Sequence, residues 1–289
     1  MFDHVEFFHR PRSIPDAIRL LHAGGSRARV VAGGTDVVVG ADRTIRTLVD
    51  ITGLGLNYIR RDAGSWRIGA TTTIAAIEDC TAMRNFAGGI VAKAAAGCGS
   101  VQIRNMATLG GNLANASPAA DMAAPLLVLD AVVVLTGQGG RRRIPLAEFF
   151  RGPGQTVVGK ALLVEVIVAA PPRGGRTGWS FQKLGRTESD ISLVNAAAGI
   201  QLDAKGRCKW ARIALGAVAP TPIRLTKAEG LLAGQALDLA LIDRVCEAAG
   251  REVSPIDDVR ASAEYRREMS CVLTRRALRE CASHAGRQL

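Results

Sequence analysis

The spacing of apolar residues changes character along this chain, and each change marks a predicted unit. Ala17, Ile18, Leu20 and Leu21 fall on one side of a helix. Ser13 is placed to cap it, Pro15 and Asp16 suit its first turn, and Gly24-Gly25 end it. Arg29–Val31 reads as a short strand running into Ala32–Asp36 (AGGTD), apolar residues carry on through Asp36–Val39, and Thr47–Ile51 is a further strand. These segments predict a β-α-β unit over residues 1–57.

From 58 to 172 the pattern mixes both periods. Trp66–Ala70 alternates like a strand, Thr71–Thr73 offers caps to a helix at Ile74–Cys80, and Ile90–Ala96 reads as a helix of small residues. A loop at Thr108–Asp121 follows, then a helix at Met122–Leu129, a strand at Ala131–Thr136, a turn at Gly137–Gly140 into Arg141–Ile144, and a β-branched strand at Leu162–Val168. Pro171–Gly175 (PPRGG) is the best linker in the chain. Beyond it, over residues 176–285, the pattern turns antiparallel. Long strands at Gly178–Leu184, Ser192–Leu202 and Lys209–Val218, with a turn at Lys205-Gly206, precede helices at Pro222–Ala233, Leu237–Gly250 and Asp258–Ser283. Strands followed by helices predict an α+β domain.

Composition narrows the class. The 289 residues are 48% hydrophobic but only 4% aromatic, so aliphatic and Ala/Gly packing must build the cores. No apolar run reaches the roughly 20 residues of a membrane span, and the N-terminus shows no signal-peptide pattern; the expectation is a soluble, cytoplasmic protein. The six cysteines are never closer than ten positions, which excludes a C-x-x-C cluster for zinc or iron–sulfur. The net charge of +11 is scattered and lacks an aromatic stacking platform. It argues for docking to acidic partner chains rather than for nucleic acid.

Candidate chemistry concentrates in two glycine-paired stretches. Thr108–Asp121 (TLGGNLANASPAAD) sets Gly110 and Gly111 among Asn112, Asn115, Ser117 and Asp121, and AGGTD directly follows a predicted strand. Paired glycines allow left-handed backbone and close ligand approach, and successive amides in such turns form anion-binding concavities. The two stretches together predict one diphosphate held from both sides. Neither is a dinucleotide fingerprint of the G-x-G-x-x-G kind, and neither has the G-K-[ST] of a P-loop. His4, His9, His22 and His284 lie away from both, so no triad, metal site or anchor for a covalently attached flavin is visible.

Six segments in order, AGGTD (32–36), QIRNMATLGGN (102–112), ASPAAD (116–121), FQKLGRTESDISLVN (181–195), PIRLTKAEGLLAG (222–234) and SAEYRREMSCVLTRRA (262–277), give the chain a family likeness. It resembles, over essentially its whole length, the FAD-binding medium subunit of molybdenum hydroxylases, the group that includes carbon monoxide and xanthine dehydrogenases. The resemblance implies a two-subdomain FAD-binding module of the vanillyl-alcohol-oxidase (PCMH) type followed by a small α+β C-terminal flavoprotein domain. It also implies non-covalent FAD, with Ala32, Gly33, Gly34, Thr35 and Asp36 on one side of the diphosphate and Thr108, Leu109, Gly110, Gly111 and Asn112 on the other. Asp121 falls where the family places an acid against the cofactor, and Leu162 and Lys183 fall where side chains approach the isoalloxazine ring. A cation there would favour the reduced, anionic flavin.

The implied role is an oxidoreductase subunit with no catalytic side chain of its own. It would pass electrons through FAD from 2Fe-2S clusters on a small partner to NAD⁺, a quinone, a cytochrome or O2, while substrate is oxidised at a molybdenum cofactor on a large partner. A dimer of heterotrimers is the expected assembly. Two departures matter. No cysteine lies between Asp121 and Pro171, which excludes the extra cluster of 4-hydroxybenzoyl-CoA reductase, and Cys98 stands where some relatives carry an aromatic near the flavin. The alternatives are a stand-alone FAD-dependent oxidoreductase, for which the segment after Pro171 is small and poor in His and Tyr, and a non-enzymatic basic binding protein.

Overall fold

The computed structural model describes residues 4–172 and 174–289. Its first unit comprises β1 (Phe7–His9), α1 (Ile14–Gly24), β2 (Ala28–Val31), α2 (Thr35–Gly40) and β3 (Thr47–Asp50), with β3 between β1 and β2 in a parallel sheet. Ser13 Oγ accepts the Asp16 amide and Gly25, at φ +61°, ends α1, as the sequence pattern predicts. β1 carries no readable alternation, because Phe7 and Phe8 are both about half exposed. The inner face of α1, Ala17, Ile18 and Leu21, packs with Val49 and Ile51 against Val134, Leu162 and Val164 of the next sheet.

That next unit opens with β4 (Ile59–Asp62) and β5 (Ser65–Gly69). Six short helices follow: α3 (Ile74–Asp79), α4 (Thr81–Asn85), α5 (Ile90–Ala96), α6 (Val101–Met106), α7 (Leu109–Ala114) and α8 (Ala123–Val128). Then come β6 (Val132–Gly137), β7 (Gly140–Pro145), a small hairpin of β8 (Phe150–Gly152) and β9 (Gln155–Thr156), and β10 (Leu162–Ala169). Five strands pair antiparallel in the order β4-β5-β10-β6-β7. One face of the sheet, including Ile68, Val133, Leu135, Val166 and Val168, shares a core with the helices. The other face holds a buried carboxylate, Glu165. It accepts from Arg67 at 2.7 and 2.9 Å, from the Tyr58 hydroxyl at 2.7 Å and from Arg141 at 3.1 Å. Burial pushes this carboxyl up, but the donors around it win and hold it below its ordinary value. The cluster fastens β5, β7 and β10 across the width of the sheet.

The third unit is β11 (Arg176–Leu184), β12 (Val194–Leu202), β13 (Cys208–Gly216), β14 (Ile223–Arg224), α9 (Thr226–Leu232), α10 (Leu239–Glu252) and α11 (Ala263–His284). Its strands form an antiparallel sheet in sequence order. Ile200, Ile213 and Leu215 pack with Leu241, Val245, Leu273 and Leu278 of the helices. On the opposite side Trp179, Phe181, Ala197 and Ala214 join the core of the second unit. Covered on both faces, β12 has every residue buried.

Two helix starts differ from expectation. The helix expected from Pro222 begins at Thr226, because Ile223 and Arg224 first pair with β13 and Arg224 reaches Leu127 O at 3.1 Å and Asp130 at 2.8 Å. The helix expected from Asp258 begins after Ser262, which caps it, while Asp258 instead accepts the amides of Arg260 and Ala261. Of the linker, Arg173 lies outside the described residues, and Pro171 and Pro172 carry no regular structure. No helix among the described residues is long and apolar enough to cross a membrane.

Candidate functional site

The first glycine pair sits where β2 meets α2. Gly34, at φ +73°, turns the chain through a left-handed conformation that a side chain would disfavour. The segment 36–39, read from sequence as a continuing apolar run, is therefore helical. The amides of Thr35, Asp36 and Val37, at the head of this turn, have no partner inside the helix. Gly33 is glycine for another reason. A Cβ there would land on the carbonyl oxygen of Met106, because the Met106–Ala107 peptide passes directly over it. That contact joins the two glycine stretches.

The second pair is built differently. Thr108 caps α7 by accepting the Gly111 amide at 3.1 Å, and Ser100 caps α6 in the same manner. Residues 109–114 are thus a helical turn rather than a left-handed loop, and neither Gly110 nor Gly111 has positive φ. A Cβ on Gly110 would lie 2.7 Å from that of Ala70. The amides of Leu109, Gly110 and Asn112, expected to face a diphosphate, donate instead to Thr72 O at 2.9 Å, Ala70 O at 2.8 Å and Thr108 O at 2.9 Å. Leu109 itself is a buried core side chain. This stretch offers the cleft a bare surface at Gly111, together with Thr108 and the amide side chains of Asn112 and Asn115.

Between the stretches runs a cleft with two lobes of about 650 and 550 Å3. Both lobes touch Arg29, Ala32, Thr108, Gly111 and Ala114, which form a neck. The larger lobe extends over Gly110 to Leu162 and is bounded by Arg151, Thr156 and Lys160. The smaller is walled by Gly33, Gly34, Thr35, Asp36, Cys98, Asn112 and Asp121. Asn115 Nδ2 donates to Asp36 across it at 2.9 Å. Leu162, expected beside Lys183 at one ring, is in the other lobe: β10 carries it into the core under α1.

Lys183 lies behind the smaller lobe. Its Nζ donates to Asp121 Oδ2 at 2.9 Å and to Gly97 O at 2.6 Å. Ser192 Oγ and Asn195 Nδ2 donate to Asp121 Oδ1 at 2.5 and 3.2 Å. Asp121 is only 5% exposed, and burial raises its carboxyl above the ordinary value although Lys183, Ser192 and Asn195 oppose the shift. Burial also raises Asp36. Cys98, buried beside Asp121, is pushed up to about 12, so its thiol stays neutral and unreactive.

These residues suit a dinucleotide. Two lobes that share lining residues match two planar halves joined by a diphosphate, and Arg29, whose guanidinium lies 3.7 Å from Asp42 Oδ2, lines both. The Oδ1 of Asn112, in the wall of the smaller lobe, is buried with no hydrogen-bond partner, which is what an N–H donor on a bound ring satisfies. The sequence reading missed Arg29, Ser192 and Asn195, and named Asn115 without its partner Asp36. Only Arg29, a cation four residues ahead of a glycine pair, gives a local signal. No histidine lines either lobe, and among the described residues no group of three or more His, Cys, Asp or Glu is placed to hold a metal.

A cleft of this shape between a small parallel unit and a larger antiparallel one defines an FAD-binding module. The family model for the FAD binding domain in molybdopterin dehydrogenase matches residues 2–171, and that for the CO dehydrogenase flavoprotein C-terminal domain matches residues 179–281. The chain belongs to this family of oxidoreductase flavoprotein subunits. It is 34% identical to the xanthine dehydrogenase FAD-binding subunit of Escherichia coli O157:H7, with both chains fully covered. It is also 34% identical to the carbon monoxide dehydrogenase medium chain of Afipia carboxidovorans, over 96% of this chain and 97% of that one. In a crystal structure of the Cu,Mo-CO dehydrogenase, a chain 33% identical superposes with a TM-score of 0.92, over 97% of this chain and 98% of that one.

Proposed function

We propose that this chain is the FAD-carrying electron-transfer subunit of a cytoplasmic molybdenum hydroxylase, assembled with a large and a small partner as a dimer of heterotrimers. The observation that carries the reading is the neck, where two glycine stretches far apart in sequence meet through the Gly33–Met106 contact and open onto both lobes. The chemistry FAD supplies when bound is electron exchange, between 2Fe-2S clusters on the small partner and NAD⁺, a quinone, a cytochrome or O2, with substrate oxidised at a molybdenum cofactor on the large partner. Amides of Thr35 and Asp36, with Arg29, hold the diphosphate. Thr108 and Gly111 bound it from the opposite side. The larger lobe takes the adenosine half beside Leu162, and the smaller takes the ring system over Asn112, Asp121 and Lys183.

Lys183 and Asp121 act together rather than as a free cation. The lysine is neutralised locally by its partner, so the pair orients the floor of the smaller lobe more than it charges it. Exposed apolar side chains ring the mouth of that lobe: Val39, Ile103 and Ile191, with Val38, Val101 and Met106 beside them. A partner subunit covers such a surface in an assembly. The test is to purify the full-length chain, remove any flavin and titrate it with FAD. Stoichiometric uptake with a flavin spectrum is expected, and a folded chain that takes up no FAD ends the proposal.

A further inference from the structure

Arg266 lies on α11 and lines neither lobe, yet it is only 3% exposed. Its Nη1 donates to Leu193 O at 2.7 Å and to Ala217 O at 3.2 Å, and its Nη2 donates to Asp258 Oδ1 at 2.8 Å. The segment of Leu193 reaches the smaller lobe through Ser189, Asp190 and Ile191, and that of Ala217 meets the loop beside the lobe. Leu193 follows Ser192 and precedes Asn195 by two positions, and those two side chains hold Asp121 Oδ1. The Leu193 amide donates to Leu184 O at 2.8 Å, next to Lys183, which holds the other oxygen of Asp121. On the second route, the Ala217 amide donates to Pro118 O at 2.7 Å, within the loop that leads into Asp121.

We infer that Arg266 is a positioning residue for the flavin lobe, one guanidinium holding from behind both arms that fix Asp121. The backbone supports this. Ala217 sits at φ +64°, a left-handed conformation that alanine disfavours. Here its N–H is held by Pro118 and its C=O by Arg266. A planar fork with several donors in fixed directions can serve two carbonyls and a carboxylate together, whereas an ammonium on a flexible stem cannot hold all three in register. Through this arrangement α11, packed on its own sheet by Leu273, Ala277 and Leu278, sets the position of a carboxylate it never touches.

The inference rests on FAD occupying the cleft. Its test uses the full-length chain, stripped of flavin and titrated with FAD, in five forms: wild type, Arg266→Met, Arg266→Lys, Ser192→Ala and the double variant Arg266→Met with Ser192→Ala. Leu273→Ala, a core truncation on the same helix, is the control. Arg266→Met is expected to weaken FAD binding roughly tenfold and to change the visible circular dichroism of the bound flavin at saturation. Arg266→Lys restores part of both. Leu273→Ala lowers the melting temperature at least as much and leaves both unchanged. The double variant loses less than the sum of the singles, because both act on Asp121. Wild-type affinity and spectrum in Arg266→Met, equal changes in Leu273→Ala, or strict additivity would each overturn the inference. If Arg266→Met does not fold, Arg266→Lys against Ser192→Ala carries the same comparison. A wild-type chain that takes up no FAD overturns the assignment of the cofactor, whereas an unaffected Arg266→Met overturns this inference alone.

Discussion

Gly33-Gly34 and Gly110-Gly111 are near-identical in sequence and unlike in the fold. At the first pair one glycine is required by backbone conformation and the other by a neighbouring peptide, and the turn ends in amides with no internal partner. At the second pair the backbone is helical, the amides of Leu109 and Gly110 are used by the segment Ala70–Thr72, and the absence of a side chain serves packing. One pair therefore supplies donors and the other supplies shape. A glycine doublet in a sequence states that something comes close; it does not say whether that is a ligand or another part of the chain.

Substitutions separate the two cases. Gly33→Ala drives a Cβ into the Met106 carbonyl, where only backbone could give way. It should cost about 3 kcal/mol or more in urea unfolding and abolish FAD uptake, because it parts the two stretches. Gly110→Ala meets Ala70 at 2.7 Å and should cost about 2 kcal/mol, with FAD binding weakened but present, since no donor to the cleft is lost. Gly34→Ala meets nothing closer than 3.8 Å and carries only the left-handed penalty, about 1 kcal/mol. FAD affinity should then change by less than about threefold. If Gly110→Ala proves more damaging to FAD binding than Gly33→Ala, the assignment of donors and shape is reversed.

The smallest effect concerns charge. Asp36 stands at the donor-bearing turn, and burial raises its carboxyl above the ordinary 3.8. A raised acid disfavours its charged form in the folded state, so its contribution to stability is full below the ordinary 3.8 and is lost as pH rises through the folded value. The diphosphate, also negative, acts in the same sense. FAD affinity of the wild-type chain should therefore tighten as pH falls through the Asp36 titration, and Asp36→Asn should flatten that dependence. Fluorescence titrations at a series of pH values measure it; an unchanged slope in Asp36→Asn places the carboxylate away from the phosphates.

Much of this architecture is written locally. The cap at Ser13, the β-branched run of β10 and the three long strands of the third unit all follow from residue type and spacing. β1, β4 and α6 do not, because each is short and leaves most of its side chains in water. Of the site, the two glycine stretches and Asp121 are legible, and their convergence was expected from their likeness. The reason for each glycine was not, since it depends on Met106 and Ala70, which no pattern links to them. The network around Asp121 joins residues 62 to 74 positions apart, and Arg266 acts through backbone carbonyls that carry no residue-specific signal.

Competition between ADP and FAD on the flavin-free full-length chain tests the central claim most directly, because the two ligands share only the adenosine lobe and the neck. One FAD per chain, displaced competitively by ADP and, less strongly, by riboflavin entering the smaller lobe alone, is the predicted result. FAD binding that saturating ADP leaves unaltered would show that the neck between the glycine pairs does not hold the diphosphate.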